Sequence, residues 1–442
     1  AGENHSHLPI AMLGAAWTST PFVPVNYRLE DEQLVELIER QPNPLVLADE
    51  RTGDRLDSVG VVTRRLDDWL VEAAAAEPVM EGGFDPDEVA IVLYTSGTTA
   101  APKAALLRHS HLMAYLLGSV EYAGAGEDEA TLVSVPPYHI AGMANMLSNL
   151  YAGRRLHYLE QFTPENWLDA ATAHGVTHAM VVPTMLSRIV DTIESGHAAP
   201  TGLRSLSYGG SKIAASVVER ALAALPDTAF VNAYGLTETA STIAVLGPDD
   251  HRAAIASDDP AVRARLGSAG QPLPMVEVEI RDDAGNVLPA NERGILHLRG
   301  EQVSGEYATG SLLDEEGWFC TRDAAWLDDE GYLFIEGRAD DTIIRGGENI
   351  APAEIEEALL GHPDIVDACV VGIPDEEWGQ RIAATVVAAD GATIDAEQVR
   401  EHVRSQLRGS KTPDEIRVAD ELPRTDTGKL LRRIVLQQLT DP

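Results

Sequence analysis

Continuous apolar runs of strand length, set off by stretches of helical spacing, restrict this chain to a layered α/β architecture. Residues 45–48, 89–93 and 179–182 are apolar without alternation and 131–135 (TLVSV) is largely so, the pattern of strands covered on both faces. Residues 11–17 and 34–38 carry helical spacing instead. Strands alternating with helices predict layered, largely parallel α/β sheets in a large N-terminal domain. From about residue 265 the pattern changes. Residues 276–280 (VEVEI) alternate strictly, 282–286 (DDAGN) form a turn and 294–299 return as a strand, which predicts the hairpins of a small β-barrel-like region. After Gly337 a third pattern begins. Pro352 opens a short helix ending near Gly361, and Asp395 with Gln398 forms a capping box, so the tail reads as a small α+β domain of its own. A chain of 442 residues suffices for two or three such units. The expected division is 1–339 and 340–442.

The run at 89–93 breaks into hydroxyl and small residues, 94–103 (YTSGTTAAPK), before Pro102 blocks an early helix start. Backbone N–H groups and the hydroxyls of Thr95, Ser96, Thr98 and Thr99 then face one small volume, which suits a polyphosphate. The spacing is not that of the common P-loop, because the lysine follows a proline. A flexible connection would have the same composition. Lysine itself is informative: the chain has four, at 103, 212, 411 and 429. Retaining a compact ammonium at the end of this loop and in the turn 423–429 (PRTDTGK) points to crowded phosphate contacts that an arginine fork would not fit.

The formal net charge of −37 excludes nucleic acid as a partner, since phosphates would be repelled over most of the surface. Anionic small molecules must then be met by locally concentrated positive charge; such an acidic surface also suits a salt-rich cytoplasm or mere solubility. Cys320 and Cys369 are far apart and indicate neither a disulfide framework nor a zinc site. No apolar run reaches membrane-spanning length and residues 1–7 lack a signal-peptide pattern, so a cytoplasmic location without a membrane span is expected.

Further motifs follow the hydroxyl-rich loop in order: 137–142 (PYHIAG), 208–211 (YGGS), 234–238 (YGLTE), 318–323 (WFCTRD), 337–341 (GRADD), 345–350 (RGGENI) and the turn at Lys429. Together, over nearly the whole length, they resemble the adenylate-forming family of acyl-CoA synthetases, luciferases and nonribosomal adenylation domains. The resemblance implies a large AMP-binding domain followed by a small mobile C-terminal domain with its hinge at Asp340. It also implies ATP, Mg²⁺ and coenzyme A. Thr95, Ser96, Gly97, Thr98, Thr99 and Lys103 would hold the β- and γ-phosphates. Glu238 would bind the metal, and Thr237 would donate to the α-phosphate. Tyr234 would stack on adenine opposite Gly209, Gly210 and Ser211. Asp323 would accept the ribose hydroxyls, with Arg338 helping. Lys429 would contact the carboxylate and the α-phosphate. Tyr138, His139, Met143 and Gly235 would line the acyl pocket, with His139 gating the thiol tunnel against Glu348. Arg345, Gly346, Gly347, Glu348, Trp378 and Lys411 would serve coenzyme A.

Several positions depart from the family. Arg322 stands where a small residue is usual, and Ala100 and Ala104 replace expected glycines, which predicts backbone strain if those sites need positive φ. The sequence also opens without the several dozen residues that members usually carry before the segment equivalent to 7–28. No aspartate lies within 138–145 to pair with an α-ammonium, so the substrate reads as a fatty or aromatic acid lacking an α-amino group, with Met143, Met146 and Leu147 along an apolar pocket. Three functions stay open: a carboxylate–CoA ligase, an adenylating enzyme that transfers to a carrier-protein thiol, and a non-catalytic nucleotide-binding relative. A homodimer is compatible with all of them.

Overall fold

The computed structural model describes residues 1–83, 85–95, 102–346, 348–375, 378–407, 409–425 and 428–440. Its centre is a seven-stranded sheet. Strands Arg155–Tyr158, Ala130–Val133, His178–Val181, Ser205–Gly209 and Ala229–Leu236 run parallel, and Ser241–Leu246 and Gln271–Pro272 continue the sheet antiparallel. Helices Ile140–Ala152, Pro164–Ala173, Pro183–Glu194 and Ala215–Ala224 make the crossovers. Proline in the first turn starts two of these helices, and Thr163 caps one by accepting from the Asn166 N–H at 3.1 Å. Leu132, Val181, Leu206, Tyr208 and Phe230 meet Trp167, Leu186 and Ile189 in a sealed core.

The run at 89–93 does not join this sheet. Strand Val89–Thr95 pairs antiparallel with Lys103–Arg108, from Val89 opposite Arg108 to Thr95 opposite Lys103. The hydroxyl-rich loop is therefore a hairpin connection, too short for the crossover that a parallel partner would need. Strands Glu306–Tyr307 and Gly310–Ser311 extend the hairpin to four strands. The expected strand at 45–48 shrinks to Leu47–Ala48, paired with Arg64–Arg65, because Leu45 is exposed and has no face to cover.

A third sheet is an antiparallel meander of Glu277–Arg281, Gly294–Arg299, Phe319–Leu327 and Leu333–Arg338. Its first turn forms as expected: Asp282 accepts from the Ala284 and Asn286 N–H groups, and Gly285 takes φ 85°. Ile335 still packs on this sheet, whereas Ile343 lies in a separate core with Ile350, Ile355, Leu359, Val370, Ile382 and Val403. The chain thus passes from one core to the next across the short turn Ala339–Asp341. The second core belongs to a small α+β unit of strands Ile365–Asp375, Gly379–Ala388 and Glu415–Ala419 with helices Pro352–Leu360, Ala396–Gln406 and Arg432–Thr440. Among the described residues no helix is long and apolar enough to cross a membrane.

Candidate functional site

The site is built where the ends of the three sheets meet. Strand Ala229–Leu236 runs into the tight turn Thr237–Thr239, and the chain doubles back through Ala240 at φ 52° into Ser241–Leu246. The reversal is closed by the Thr239 hydroxyl, which donates to the Ser241 carbonyl at 2.7 Å. Gly235 sits so close beneath it that a Cβ would lie 1.8 Å from the Ser241 oxygen, so no other residue fits. Glu238 is left at the apex. Its carbonyl accepts from the N–H groups of Ser304 and Gly305 at 2.8 and 3.0 Å, and its carboxylate accepts from the Tyr307 hydroxyl. That hydroxyl is also 3.4 Å from the Thr95 hydroxyl at the base of the phosphate hairpin, where Lys103 is exposed on the opposing strand. Ser96, Gly97, Thr98 and Thr99 lie outside the described residues, as does Ala100.

Tyr307 escaped the sequence reading. A lone tyrosine in a two-residue strand carries no periodic signal, and its role follows from pairing opposite Ala105. Burial raises its pKa well above the ordinary tyrosine range, with Glu238 adding to the shift, so Tyr307 stays a hydrogen-bond donor. A phenol leaves lone pairs of Glu238 available, and no arginine or lysine among the described residues bridges to it. The carboxylate is thereby suited to a divalent cation shared with phosphate oxygens. Tyr307→Phe should lower pyrophosphate-releasing activity about tenfold and raise the Mg²⁺ concentration giving half-maximal rate, because an unanchored Glu238 is no longer oriented. A magnesium titration of both proteins at fixed ATP checks this; unchanged curves would remove Tyr307 from the site.

The second cluster joins Tyr234, Asp323 and Arg338. The Tyr234 hydroxyl donates to one oxygen of Asp323, while Arg338 Nε stands 3.2 Å from the other and its Nη1 donates to the Thr321 carbonyl at 2.7 Å. Asp323 is buried, which raises its pKa, and Arg338 and the Tyr234 hydroxyl oppose that rise. A carboxylate held by a tyrosine and an arginine in a cleft suits a pair of ribose hydroxyls. Gly209 ends its strand with no room for a Cβ, which would fall 2.1 Å from the Ala233 oxygen, and Gly210 follows at φ 91° with Ser211 beside it. Thr237 opens the turn that carries Glu238. The strain expected at Ala104 does not arise, because Ala104 lies in extended strand opposite Tyr94. It falls instead on Arg322, at φ 60°, where a side chain costs on the order of 1 kcal/mol relative to glycine.

Lys429 arrives from the small unit. Its turn is closed by Thr425, whose N–H donates to the Lys429 carbonyl at 2.8 Å and whose hydroxyl accepts from the Lys429 N–H at 3.0 Å. Gly428, at φ 78°, lies against Thr184 at the start of helix Pro183–Glu194; a Cβ there would be 2.5 Å from the threonine side chain. Lys429 is exposed to the water of the cleft, yet protein atoms crowd it. That crowding lowers its pKa and Arg338 adds to the effect, against the pull of Asp323, Asp341 and Glu238. This ammonium is within electrostatic reach of both clusters.

Tyr138 and His139 stand at the mouth of helix Ile140–Ala152, with ring centroids 4.6 Å apart and Tyr138 edge-on to Tyr27. Gly142 packs so tightly that a Cβ would meet the Pro136 carbonyl at 2.3 Å. Met143 has no exposed surface; it packs with Leu8, Leu93, Leu112 and Met146 in the core behind the helix. On the small unit, Arg345, Gly346 and Trp378 form one group: Gly346 donates to the Trp378 carbonyl at 2.8 Å and the Arg345 guanidinium lies 5.6 Å from the indole. Arg345 also pairs with Asp414 at 2.8 Å. Glu348 lies opposite Arg345 across a short hairpin, and Gly347 is outside the described residues. Lys411 does not join them, because both oxygens of Glu354 hold its ammonium, at 2.7 and 2.6 Å. Asp340 is exposed in the turn between the two cores, 3.8 Å from Arg322.

The AMP-binding enzyme family matches residues 1–308, and the AMP-binding enzyme C-terminal domain matches 354–429. A fatty acid–[acyl-carrier-protein] ligase of Streptomyces coeruleorubidus is 32% identical over 98% of this chain and 84% of that protein. A feruloyl-CoA synthase of an Amycolatopsis species is 31% identical over 98% of this chain and 86% of its own length. Among solved structures, the o-succinylbenzoate CoA synthetase of Bacillus subtilis in complex with its acyl-adenylate superposes with a TM-score of 0.85 at 28% identity, covering 100% of this chain and 87% of that one. The same enzyme has been solved with ATP and a magnesium ion, at a TM-score of 0.83 over 98% of this chain and 87% of that one. With matches over both units, this chain belongs to the AMP-binding enzyme family.

Proposed function

We propose that this chain is an ATP-dependent carboxylate–CoA ligase acting on a fatty or aromatic acid without an α-amino group. The observation that carries this reading is the delivery of Lys429 by the small unit into the cleft that holds Tyr234, Asp323, Arg338 and Glu238. A substrate carboxylate oxygen attacks the α-phosphorus of ATP, the bond to the bridging oxygen breaks, and pyrophosphate leaves an acyl-adenylate. The thiolate of coenzyme A then attacks the acyl carbon and AMP departs with the former carboxylate oxygen. In the first step Lys429 neutralises charge building between carboxylate and α-phosphate, Asp323 and Arg338 fix the ribose, and Thr95 and Lys103 steady the outer phosphates. Glu238, anchored by the Tyr307 hydroxyl, would hold a magnesium ion, which when bound would neutralise charge on the phosphates.

Feruloyl-CoA synthase and o-succinylbenzoate CoA synthetase among the relatives support an aromatic acid, and the carrier-protein ligase supports a second reading in which the acceptor thiol is on a carrier protein. In this reading the division falls at 339/340, Asp340 is the pivot and the enzyme works in the cytoplasm. The deciding experiment measures pyrophosphate release with ATP, Mg²⁺ and a panel of ferulate, 2-succinylbenzoate, a medium-chain fatty acid and phenylalanine, with and without CoA. Acid-dependent release and a CoA thioester are expected for at least one acid other than phenylalanine. Release without a thioester until a carrier protein is added selects the second reading, and ATP binding with no release on any acid rejects both.

The lowered pKa of Lys429 gives a pH prediction. The protonated ammonium is the active form, so kcat/KM for adenylation should fall as pH rises through a value below the ordinary lysine range. Asp341→Asn removes one of the anions that support the charge and should move that alkaline limb lower still. A limb that stays in the ordinary range in both proteins would contradict the assignment.

A further inference from the structure

Arg432 begins the helix that follows the Lys429 turn, and its guanidinium reaches three other parts of the small unit. It forks onto both oxygens of Glu356, with Nη2 at 2.8 Å from Oε2 and Nη1 on Oε1. The same Nη1 lies 3.4 Å from the Val370 carbonyl and 3.6 Å from the Cys369 sulfur, while Nε stands 3.4 Å from Asp341 in the turn between the two cores. Glu356 is buried and also accepts from the Val370 N–H at 2.8 Å, so the fork is anchored on strand Ile365–Asp375 as well as on helix Pro352–Leu360. One cation therefore ties together the helix that follows the Lys429 turn, helix Pro352–Leu360, the edge strand Ile365–Asp375 and the inter-core turn.

Asp341 occupies a divided position. It lies near enough to Lys429 to support its charge, yet its ion-pair partner is Arg432. A carboxylate beside the reactive ammonium would compete with substrate for it, unless another cation holds that carboxylate. We infer that Arg432 is a positioning residue for adenylation: it fixes the Lys429 turn through Glu356 and keeps Asp341 from pairing with Lys429. Four charged groups face Lys429, namely Arg338, Asp323, Asp341 and Glu238, and Asp341 comes from the same small unit. Without Arg432, Asp341 is the anion freed to take the ammonium. This rests on the proposed function for its meaning in catalysis, but not for its test.

The test reads the ammonium directly. The full chain is trace-labelled with acetic anhydride at fixed pH, and acetylation of Lys429 is measured by peptide mass spectrometry relative to Lys212, which lies 3.6 Å from Glu357 and outside this network. Arg432→Gln should slow Lys429 acetylation about fivefold or more, since an ammonium held by a carboxylate loses its proton less readily. Adding Asp341→Asn should bring the ratio back to the wild-type value or above it, since that carboxylate also supports the charge in the wild type, and Arg433→Gln, on the exposed neighbour, should leave it unchanged. If Arg432→Gln does not fold, Arg432→Lys replaces it: one ammonium serves Glu356, Asp341 is released and the same slowing is expected. An unchanged ratio, or slowing that Asp341→Asn does not reverse, overturns the inference. In parallel, the most active acid of the panel should show Arg432→Gln slowing adenylation through kcat more than CoA attack on a supplied acyl-adenylate; equal loss in both steps also overturns it. A wild-type chain that adenylates nothing rejects the proposed function while the labelling result still stands.

Discussion

Lys429→Ala is expected to reduce acyl-adenylate formation by roughly 10²–10³-fold or more while leaving CoA attack on a supplied acyl-adenylate within a few-fold of wild type. The asymmetry follows from where the ammonium stands. It is brought to Asp323, Arg338 and Glu238 by a turn docked on Thr184, so its charge acts where carboxylate and α-phosphate oxygens approach each other. In the thioester step the bond to phosphate is already made and the attacking sulfur comes from another direction. Truncation also removes an ammonium that Asp323, Asp341 and Glu238 help to sustain, so three carboxylates lose a shared cation. Nucleotide affinity should then weaken as well, though less than the rate. Single-turnover measurements of the two steps decide the matter. Equal loss in both would mean that Lys429 is structural.

Asp340→Pro is expected to keep adenylation and to reduce thioester formation about tenfold or more, leaving a burst of enzyme-bound acyl-adenylate. Asp340 lies in the tight helical turn Ala339–Asp341 between the core that includes Ile335 and the one that includes Ile343. Backbone of that class has φ near the value proline imposes, so the present arrangement tolerates the change with modest strain from the preceding alanine. A rotated arrangement that brings the group of Arg345, Gly346 and Trp378 toward the cleft needs new φ and ψ values in this turn, and proline denies one of them. Arg322 lies 3.8 Å from Asp340 with both side chains exposed, a contact worth little in water, so losing the carboxylate is not expected to confuse the result. Wild-type rates in both steps would place the pivot elsewhere.

Much of this was legible from residue order. The apolar runs at 89–93, 131–135 and 179–182 fall on strands, Pro352 opens its helix, and Asp395 caps the next by accepting from the Glu397 and Gln398 N–H groups. These features are local, decided by residues within one turn. What escaped depends on distant pairing. Nothing in 89–93 says that the strand turns back on Lys103–Arg108 rather than entering the parallel sheet, because periodicity reports burial and not partners. The strain expected at Ala104 vanishes for the same reason: a strand register, invisible in composition, sets its backbone. Tyr307 and Arg432 act through side chains that cross between elements roughly 70 to 76 residues apart in sequence from their carboxylate partners. The motif residues stand out in the sequence because their types are tied to chemistry, whereas the groups that pair with them do not.

The phosphate hairpin and the strand carrying Tyr307 are locked by the fork of Arg108 on Glu306, at 2.8 and 2.6 Å, and Tyr307 holds Glu238. Tyr234, Asp323 and Arg338 likewise belong to the sheets before residue 339. The larger body therefore carries all of these residues on its own sheets. Under the proposed function most of the contacts to ATP are then a trait of one unit, and the pace of adenylation, through Lys429, a trait of the other. Variation in the small unit could then retune turnover across descendants of this chain without retuning their energy currency.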